Sequence, residues 1–419
     1  MIQSILIITP VWPEPASSAA GTHMLQIIAA LHAQGWCVHV ASTAERSEFQ
    51  ATLEPMVAMQ HHIAVNDSGF DTFVAALQPD VVIFEHFSME EQFGWRVEKH
   101  CPDAMRVLQT VDLHAMREAR RKAFLARRTV TDEDIFDVTA QREIAAIYRC
   151  DLSLLISTVE MHWLSTRYAV PPELLHYCPF MFEARREAQA VAAYQQRQHF
   201  VTIGNFRHPP NWDSVQWLHE SIWPQIRQQI PDAQLHVYGS YMPPKAKALH
   251  RPQHGFYVNG RADDAQQVMQ QARVCLAPLR FGAGLKGKLA DAMLSGTPSV
   301  TTDIGAEGMH GDLPWGGAIV PCSAAYSDAD AEAFAQAAVA LYDDAARWQL
   351  AQQQGFDIVR RCFDASEHAQ VLTRRIDDVY AQLSSHRMRN FTGAMLRHHH
   401  HRSTEFMSRW IEEKNRNSR

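Results

Sequence analysis

The sequence predicts an α/β protein with two Rossmann-like, doubly wound domains that face a common cleft. Its 419 residues exceed what one hydrophobic core usually organises. Short apolar runs alternate with helical patterns along most of the chain, which is typical of parallel sheets covered on both faces. A stretch at 170–198, which contains three prolines and then turns polar, divides this alternation into two series. Because ligands bind beyond the carboxyl ends of such strands, each domain is expected to hold one substrate against the cleft.

The first series predicts an amino-terminal domain at residues 1–185. An amphipathic helix is expected at 23–35, with Gly35 as its carboxy-terminal cap. The Arg-, Glu- and Ala-rich segment 114–148 is expected to be helical, with an interruption near 129–134. Buried strands are expected at 4–9, 37–42, 79–85, 104–112 and 151–157.

The second series predicts a carboxy-terminal domain at residues 199–385. Its strands are expected at 199–205, 234–239, 256–260, 273–279 and 298–302. Its helices are expected at 213–229, 263–272, 286–295, 329–354 and 365–384.

The remaining residues, 386–419, form a basic tail with four consecutive histidines at 398–401. We expect this tail to be flexible and solvated, since a lone histidine tract has no fixed geometry for a metal. A metal site and a purification-tag remnant are alternatives. A third alternative is an amphipathic helix that seeks a membrane surface, because basic residues are interspersed with aromatic and apolar ones.

Charge, hydropathy and cysteine spacing argue against a nucleic-acid-binding, secreted or membrane-spanning protein. A formal net charge of −7 disfavours a nucleic-acid partner. The amino terminus is apolar for only a few residues and lacks a basic start, so it predicts a first strand rather than a signal peptide. There is no apolar run of the roughly 18 residues that a membrane span needs. Seven widely spaced cysteines without a CxxC pair indicate reduced thiols, so we expect a cytoplasmic protein.

The stretch RFGAGLKGKLADAMLSGTPSV at 280–300 lies where a predicted strand ends and a helix begins. Gly282 and Gly284 allow close approach of the backbone, and a helix amino terminus offers unpaired N–H groups to anionic oxygens. Lys286 and Lys288 add positive charge at the same place. These features predict a diphosphate site. The spacing G-x-x-x-x-G-K-[ST] of a P-loop is absent.

Asp291 lies in the same stretch, about one helical turn after Lys288. Its carboxylate is placed to accept hydrogen bonds from ribose hydroxyls. The alternative is that the glycines serve only a tight strand-to-helix turn, but that alternative gives no role to the two lysines.

The string APLRFGAGLKGKLADAMLSGTPSVTTDIGAEGM at 277–309 resembles the donor-binding region of GT-B glycosyltransferases of family 4, the glycosyl transferases group 1. It is most similar to the subgroup with the pattern GAG-x-x-x-K. GNFRHPPNWDSVQWL at 204–218 resembles the opening of that subgroup's second domain, and VDLHAMRE at 111–118 resembles a first-domain motif. The motifs occur in the expected order over roughly 110–310.

The resemblance implies roles for three residues that we predict to be catalytic. In such enzymes the carboxy-terminal domain holds the nucleotide diphosphate and the amino-terminal domain holds the acceptor. Arg207 and Lys288 would pair with the diphosphate leaving group. His114 matches the first-domain histidine that faces the transferred sugar.

Two further donor contacts follow from the resemblance. Gly21, in the loop after the first strand, would bring backbone N–H groups to the donor, although glycine is common in such loops. Glu307, in GAEG, would contact the nucleotide; its alternative role is to cap the next segment.

The sequence departs from the family pattern at one place. Many members carry two glutamates with seven residues between them, whereas Ala283 and Asp291 stand at those positions here. Backbone amides of 283–286, including that of Leu285, are expected to replace the first carboxylate beside the sugar.

The resemblance therefore implies a retaining glycosyltransferase that moves a sugar from a nucleotide-diphosphate donor to a glycan or lipid-linked acceptor. Bacterial cell-surface polysaccharide synthesis is the expected setting, with peripheral contact at the inner face of the membrane. No metal cofactor is expected, because fixed cations would neutralise the diphosphate. The alternatives are a sugar-nucleotide epimerase or phosphorylase on the same fold, or an inactive donor-binding partner subunit.

Overall fold

The computed structural model describes residues 1–183, 191–323 and 326–416. The predicted connection at 170–198 and the end of the basic tail therefore lie partly outside the described residues. The described chain forms two parallel sheets, each with helices on both faces, which confirms the predicted α/β class.

The first sheet contains seven strands within the described residues. They are β1 (Ser4–Thr9), β2 (Cys37–Ser42), β3 (Met59–His62), β4 (Val81–Glu85), β5 (Met105–Gln109), β6 (Leu152–Leu155) and β7 (Leu175–Tyr177). All pairings are parallel, in the order β3-β2-β1-β4-β5-β6-β7. The strands β4 and β5 are buried throughout, as expected for central strands covered on both faces.

Helices cover both faces of this first sheet. They are α1 (Ala19–Ala33), α2 (Gly69–Leu77), α3 (Phe87–His100), α4 (His114–Leu125), α5 (Asp132–Ile135), α6 (Val138–Arg149) and α7 (Thr158–Arg167). The break between α4 and α6 falls where the sequence predicted an interruption. Asp134 forms it, because its carboxylate accepts hydrogen bonds from the N–H and hydroxyl of Thr131 and so starts a new helical turn.

The second sheet contains six strands within the described residues. They are β8 (Gln198–Ile203), β9 (Leu235–Tyr238), β10 (Phe256–Gly260), β11 (Ala272–Ala277), β12 (Ser299–Thr302) and β13 (Gly317–Val320). Their order is β10-β9-β8-β11-β12-β13, again with parallel pairing throughout.

Eight helices accompany this second sheet in the described chain. They are α8 (Pro209–Trp217), α9 (Trp223–Gln229), α10 (Pro244–Lys247), α11 (Ala265–Gln271), α12 (Gly287–Leu294), α13 (Asp303–Ala306), α14 (Asp328–Asp343) and α15 (Ala345–Cys362). A π-helical turn at Leu218–Ile222 joins α8 to α9. The helix predicted at 329–354 is two helices, because the Asp344 side chain accepts a hydrogen bond from Arg347 N and caps α15.

The chain then returns to the first domain, which differs from the predicted boundary at 385. Helix α16 (Ala365–Ala381) packs against α1. Its buried Leu372, Ile376 and Val379 belong to the same core as β1. Helical periodicity shows which face of a helix is apolar, but not which domain covers that face.

The basic tail is also different from the prediction: its described part is helical and packed. Helix α17 (Leu383–Arg389) leads into α18 (Phe391–Arg416), and α18 lies against α3 and α6. A Cβ atom at Gly393 would come 2.1 Å from Tyr148 O, so only glycine allows this approach. Ser408 accepts a hydrogen bond of 3.0 Å from the buried Arg96. Small and polar residues make these contacts, which composition alone does not reveal.

His401, the last residue of the histidine tract, takes part in a buried ionic network, whereas His398 and His399 are exposed. His401 Nδ1 lies 2.5 Å from Glu98 Oε2, and its ring also faces Glu90. Glu90 is paired with Arg149, and both side chains are buried. Burial opposes the ionisation of Glu90, but Arg149 and His401 together outweigh burial and hold the pKa of Glu90 at about 2. These pairs fix α18 to the first domain.

Arg387 joins α17 to the first domain and provides a test of this docking. Its guanidinium donates two hydrogen bonds of 2.8 Å to the buried carboxylate of Asp151. We expect Arg387→Ala to lower the free energy of unfolding by about 3 kcal/mol, because it leaves that carboxylate poorly paired. Urea denaturation followed by circular dichroism measures the change. Arg389→Ala, at an exposed neighbouring position, should change it by less than about 0.5 kcal/mol; equal losses in both variants would contradict the assignment.

Candidate functional site

A cleft of about 500 Å³ lies between the two sheets. Its lining comes from loops at the carboxyl ends of strands in both domains, as the sequence predicted. The lining includes polar, charged and loop residues of both domains: His86, Val111, Asp112, His114, Arg117, His208, Gly282, Ala283, Leu285, Lys286, Lys288 and Asp291. This volume is within the range of small-molecule sites.

The glycine-rich loop between β11 and α12 brings the two domains into contact. Gly282 and Gly284 have φ values of +153° and +64°, which disfavour any side chain. A Cβ atom at Gly284 would lie 2.9 Å from the Cβ atom of Asp112 in the first domain. The same loop buries Ala283 against the first-domain core, and Leu285 within a core of the second domain. The glycines therefore serve both the turn and the approach of the domains.

Lys286 and Lys288 have different environments. Lys286 Nζ donates to Gly284 O at 2.5 Å and to Ala283 O at 3.2 Å, so it is tied to its own loop. Lys288 lines the cleft, and no described residue forms a hydrogen bond or ion pair with its ammonium. Burial lowers the pKa of each lysine to about 8. Lys288 is thus the ammonium available to a ligand.

Asp291 lies one turn after Lys288 and also lines the cleft. Within the described chain its carboxylate has no hydrogen-bond donor or ion-pair partner. Burial raises its pKa to about 7. An unpaired cation and an unpaired carboxyl in one cleft are costly unless a ligand provides partners.

His114 opens α4 on the opposite wall and belongs to a cluster that the sequence revealed only in part. Its Nε2 lies 3.3 Å from Asp112 Oδ1, and its ring centroid lies 4.1 Å from that of His86. Arg117 donates to the same Asp112 oxygen at 2.6 Å. Burial opposes the ionisation of Asp112, but Arg117, His114 and His208 together outweigh burial and hold the pKa of Asp112 far below the usual range. Asp112 therefore stays anionic and orients His114.

The backbone directly before this cluster is strained. Val111 has a φ of +67°, a region that β-branched residues rarely adopt. Such strain costs on the order of 1–3 kcal/mol and is concentrated at functional sites. No sequence signal at Val111 predicts it.

The predicted catalytic Arg207 does not line the cleft. It is exposed, and its guanidinium stacks 3.9 Å from the ring centroid of Tyr241. Its neighbour His208 lines the cleft instead, at the amino-terminal cap of α8. Burial lowers the pKa of His208 to about 4, so this imidazole is neutral at pH 7. The motif identified the correct loop, and the backbone direction decided which side chain enters the cleft.

Glu307 also has a role different from the predicted donor contact. Its two carboxylate oxygens each accept a hydrogen bond of 2.7 Å from Arg120 in the first domain. Arg120 also donates to Gly282 O at 2.9 Å. This bidentate pair joins the two domains beside the cleft.

Gly21 lies beneath the cleft wall rather than on it. Its N–H donates to Ser18 Oγ at 3.1 Å and so helps to cap α1. A Cβ atom there would come 2.5 Å from the backbone of Glu14. The nearby Ala19 and Ala20 line the cleft instead.

Glu160, in α7, is a further junction residue that the sequence did not reveal. Its buried Oε1 accepts hydrogen bonds from Leu113 N at 2.7 Å and from Gly284 N at 2.8 Å, one in each domain. Burial raises its pKa to about 8. The second of these amides belongs to the glycine loop, so it is not available to a ligand in this arrangement.

Comparison with known proteins shows a family similarity within the second domain. Residues 197–344 match the family model described as glycosyl transferases group 1. No curated protein matches the chain.

Solved structures with both domains are similar over most of the chain. Sucrose-phosphate synthase from Thermosynechococcus elongatus is 16% identical with a TM-score of 0.64, over 90% of this chain and 99% of that one. HepE from Anabaena, in complex with UDP and glucose, is 11% identical with a TM-score of 0.66, over 90% and 100%. The pneumococcal O-GlcNAc transferase GtfA, in complex with UDP and GlcNAc, is 12% identical with a TM-score of 0.64, over 90% and 99%. These similarities confirm the predicted two-domain GT-B fold.

The pair between Arg120 and Glu307 provides a test of the domain junction. We expect Arg120→Met to destabilise the closed arrangement by about 2 kcal/mol, because charge-assisted hydrogen bonds are lost. The ratio of open to closed molecules then rises more than tenfold, which small-angle X-ray scattering detects as a larger radius of gyration. Arg121→Met is the matched control, since among the described residues Arg121 pairs with Glu118 on its own helix and with no other acidic group. An unchanged radius in Arg120→Met would refute the role of this pair.

Proposed function

We propose that the chain is a retaining glycosyltransferase of the group 1 family with a nucleotide-diphosphate sugar as donor, which the match of residues 197–344 to that family model supports. The acceptor that we propose is a glycan or a lipid-linked saccharide. The observation that carries the proposal is the unpaired Lys288 beside the amino terminus of α12, in a cleft between the two domains. A cation next to free helix N–H groups suits a diphosphate.

We propose that Lys288 stabilises the diphosphate as it leaves the anomeric carbon. Negative charge grows on the departing oxygen in the transition state, so a fixed ammonium and helix amides lower its energy most. The fixed cation takes the place of a metal, and we propose none. The described residues contain no group of three or more metal-ligating side chains.

We propose that His114 faces the transferred sugar from the other wall. Asp112 is held by Arg117 and fixes the orientation of the imidazole. Asp291 is a hydrogen-bond partner for the nucleoside, since its carboxyl is unpaired and lines the same cleft. The closed cleft would bring donor and acceptor into reacting geometry, which lowers the entropic part of the barrier.

The identity of the nucleotide is part of the proposal. The complexes of HepE and GtfA contain UDP, so a UDP-sugar is the first donor to examine in a panel with GDP-, ADP- and dTDP-sugars. A bound donor raises the melting temperature by mass action. Binding without hydrolysis or transfer of any donor would favour an inactive partner subunit, in which Ala283 leaves the site without the usual carboxylate.

The setting that we propose is the cytoplasmic side of a bacterial membrane, in cell-surface polysaccharide synthesis. All seven cysteines are free thiols, which supports a reducing compartment. No described helix is long and apolar enough to cross a membrane.

Lys288→Ala tests the diphosphate assignment. We expect donor hydrolysis and transfer to fall at least tenfold, because the variant lacks the cation that would neutralise the leaving diphosphate. Release of nucleoside diphosphate measures the rate without a known acceptor. Lys247→Ala, at an exposed lysine of the same domain, is the control, and unchanged thermal unfolding confirms the fold. Arg207→Ala should cost less than Lys288→Ala; wild-type kinetics in Lys288→Ala would disprove the assignment.

The pKa of Lys288 predicts how nucleotide affinity depends on pH. Only the protonated amine attracts a diphosphate, and the pKa of about 8 means that this form is lost between pH 7 and pH 9. We therefore expect the affinity for UDP, measured by calorimetry, to fall severalfold over that range. Lys288→Arg should reduce the decline, because arginine stays charged. Asp291 is present in both the wild type and Lys288→Arg, so its titration affects both pH profiles of UDP affinity in the same way. Identical profiles in the two proteins would contradict the prediction.

A further inference from the structure

The outer face of α18 carries large apolar side chains in solvent. Phe391 and Phe406 are each 70% exposed, Trp410 is 59% exposed and Met395 is 47% exposed. Their spacing of 4, 11 and 4 residues places all four within about 100° on one side of the helix. We call these four residues the outer face.

The inner side of the same helix has the opposite character. Its most buried residues are Gly393, Arg397 and Ser408, which are small or charged. A surface helix normally buries its apolar side and exposes its polar side. In α18 this pattern is inverted, so the exposed aromatic residues are not left over from packing against the protein. Exposed apolar patches of this kind mark interaction sites.

The first domain holds α18 rigidly in this orientation. Glu412 Oε1 accepts hydrogen bonds from the hydroxyl and amide of Ser68, at 2.6 Å and 3.2 Å. Glu405 pairs with Lys99 at 2.7 Å. The acidic groups at 405 and 412 are thus engaged by the protein, and the helix cannot rotate to hide the outer face without breaking these contacts.

The charge of this segment is basic, although the whole chain carries −7. Residues 386–416 contain seven Lys and Arg against three Glu. Arg402 is exposed one turn before Phe406, and Lys414 lies 5.3 Å from the ring of Trp410. Cations beside interfacial aromatic residues complement anionic headgroups.

We propose that the outer face of α18 docks on the surface of an anionic lipid bilayer. The helix would lie in the plane of the interface, with the aromatic side chains at the depth of the headgroups and with Arg402 and Lys414 beside lipid phosphates. From Phe391 to Trp410 the face is a line about 29 Å long. A line of this length fits a planar surface better than a compact protein interface. The proposal concerns location only and does not rest on the proposed transfer activity.

Vesicle sedimentation of the full-length protein tests the proposal. We expect it to pellet with phosphatidylcholine vesicles that contain about 30% phosphatidylglycerol, and to bind them less in 0.5 M salt. Phe406→Ser/Trp410→Ser should lower the bound fraction at least fivefold, since it removes the buried aromatic area. Arg402→Glu should lower binding to the anionic vesicles. Removing α18 is unsuitable, because this would uncover the buried Arg96 and Glu90.

The matched control is Val138→Ser/Leu350→Ser, which changes two exposed apolar residues outside α18 and should bind like the wild type. Donor hydrolysis should be unchanged in Phe406→Ser/Trp410→Ser, so failure of this proposal and failure of the proposed function are distinguishable. Absence of wild-type binding, or equal binding by the outer-face variant and the control, overturns the proposal. A dimer in light scattering that only the outer-face variant abolishes also overturns it, since the face would then join two copies of the chain.

Discussion

The contact between the glycine loop and the first domain is the constraint on which the site depends. Gly284 lies against Asp112, and its amide shares the buried Glu160 carboxyl with Leu113 of the other domain. No larger residue at 284 allows this approach. The loop is therefore a turn, a domain contact and the entrance to α12 at once, which explains why glycine and lysine occur so densely within a few residues.

Charge pairing separates structural from ligand-facing groups around this contact. Arg120 and Glu307 satisfy each other, and so do Arg117 and Asp112, so these pairs position the walls of the cleft. Lys288 and Asp291 are buried without a partner among the described residues. Burial lowers the pKa of Lys288 and raises the pKa of Asp291, so both values lie closer to pH 7. Groups of this second kind are the ones that a bound substrate would satisfy.

The carboxy-terminal helices also differ in whether their side chains are satisfied within the protein or left exposed at the surface. α16 uses its apolar side to complete the first-domain core, whereas α18 is held by small and ionic residues and leaves its aromatic side outside. Buried ion pairs stabilise a helix contact only after a large desolvation cost, which apolar contacts do not carry. Their use here keeps the outer face available, which is consistent with a surface selected for a partner rather than for stability.

The sequence by itself determined the two parallel sheets and the glycine-rich loop that lines the cleft, because apolar periodicity and a glycine–lysine cluster are local signals. It did not reveal the short edge strands β3, β7 and β13, whose three or four residues are too few to show a periodic pattern. Only the tertiary structure decided that His208 rather than Arg207 enters the cleft, that Glu307 pairs with Arg120, and that α18 packs on the first domain. Each of these depends on backbone direction or on a partner distant in sequence, and neither is encoded in the spacing of neighbouring residues.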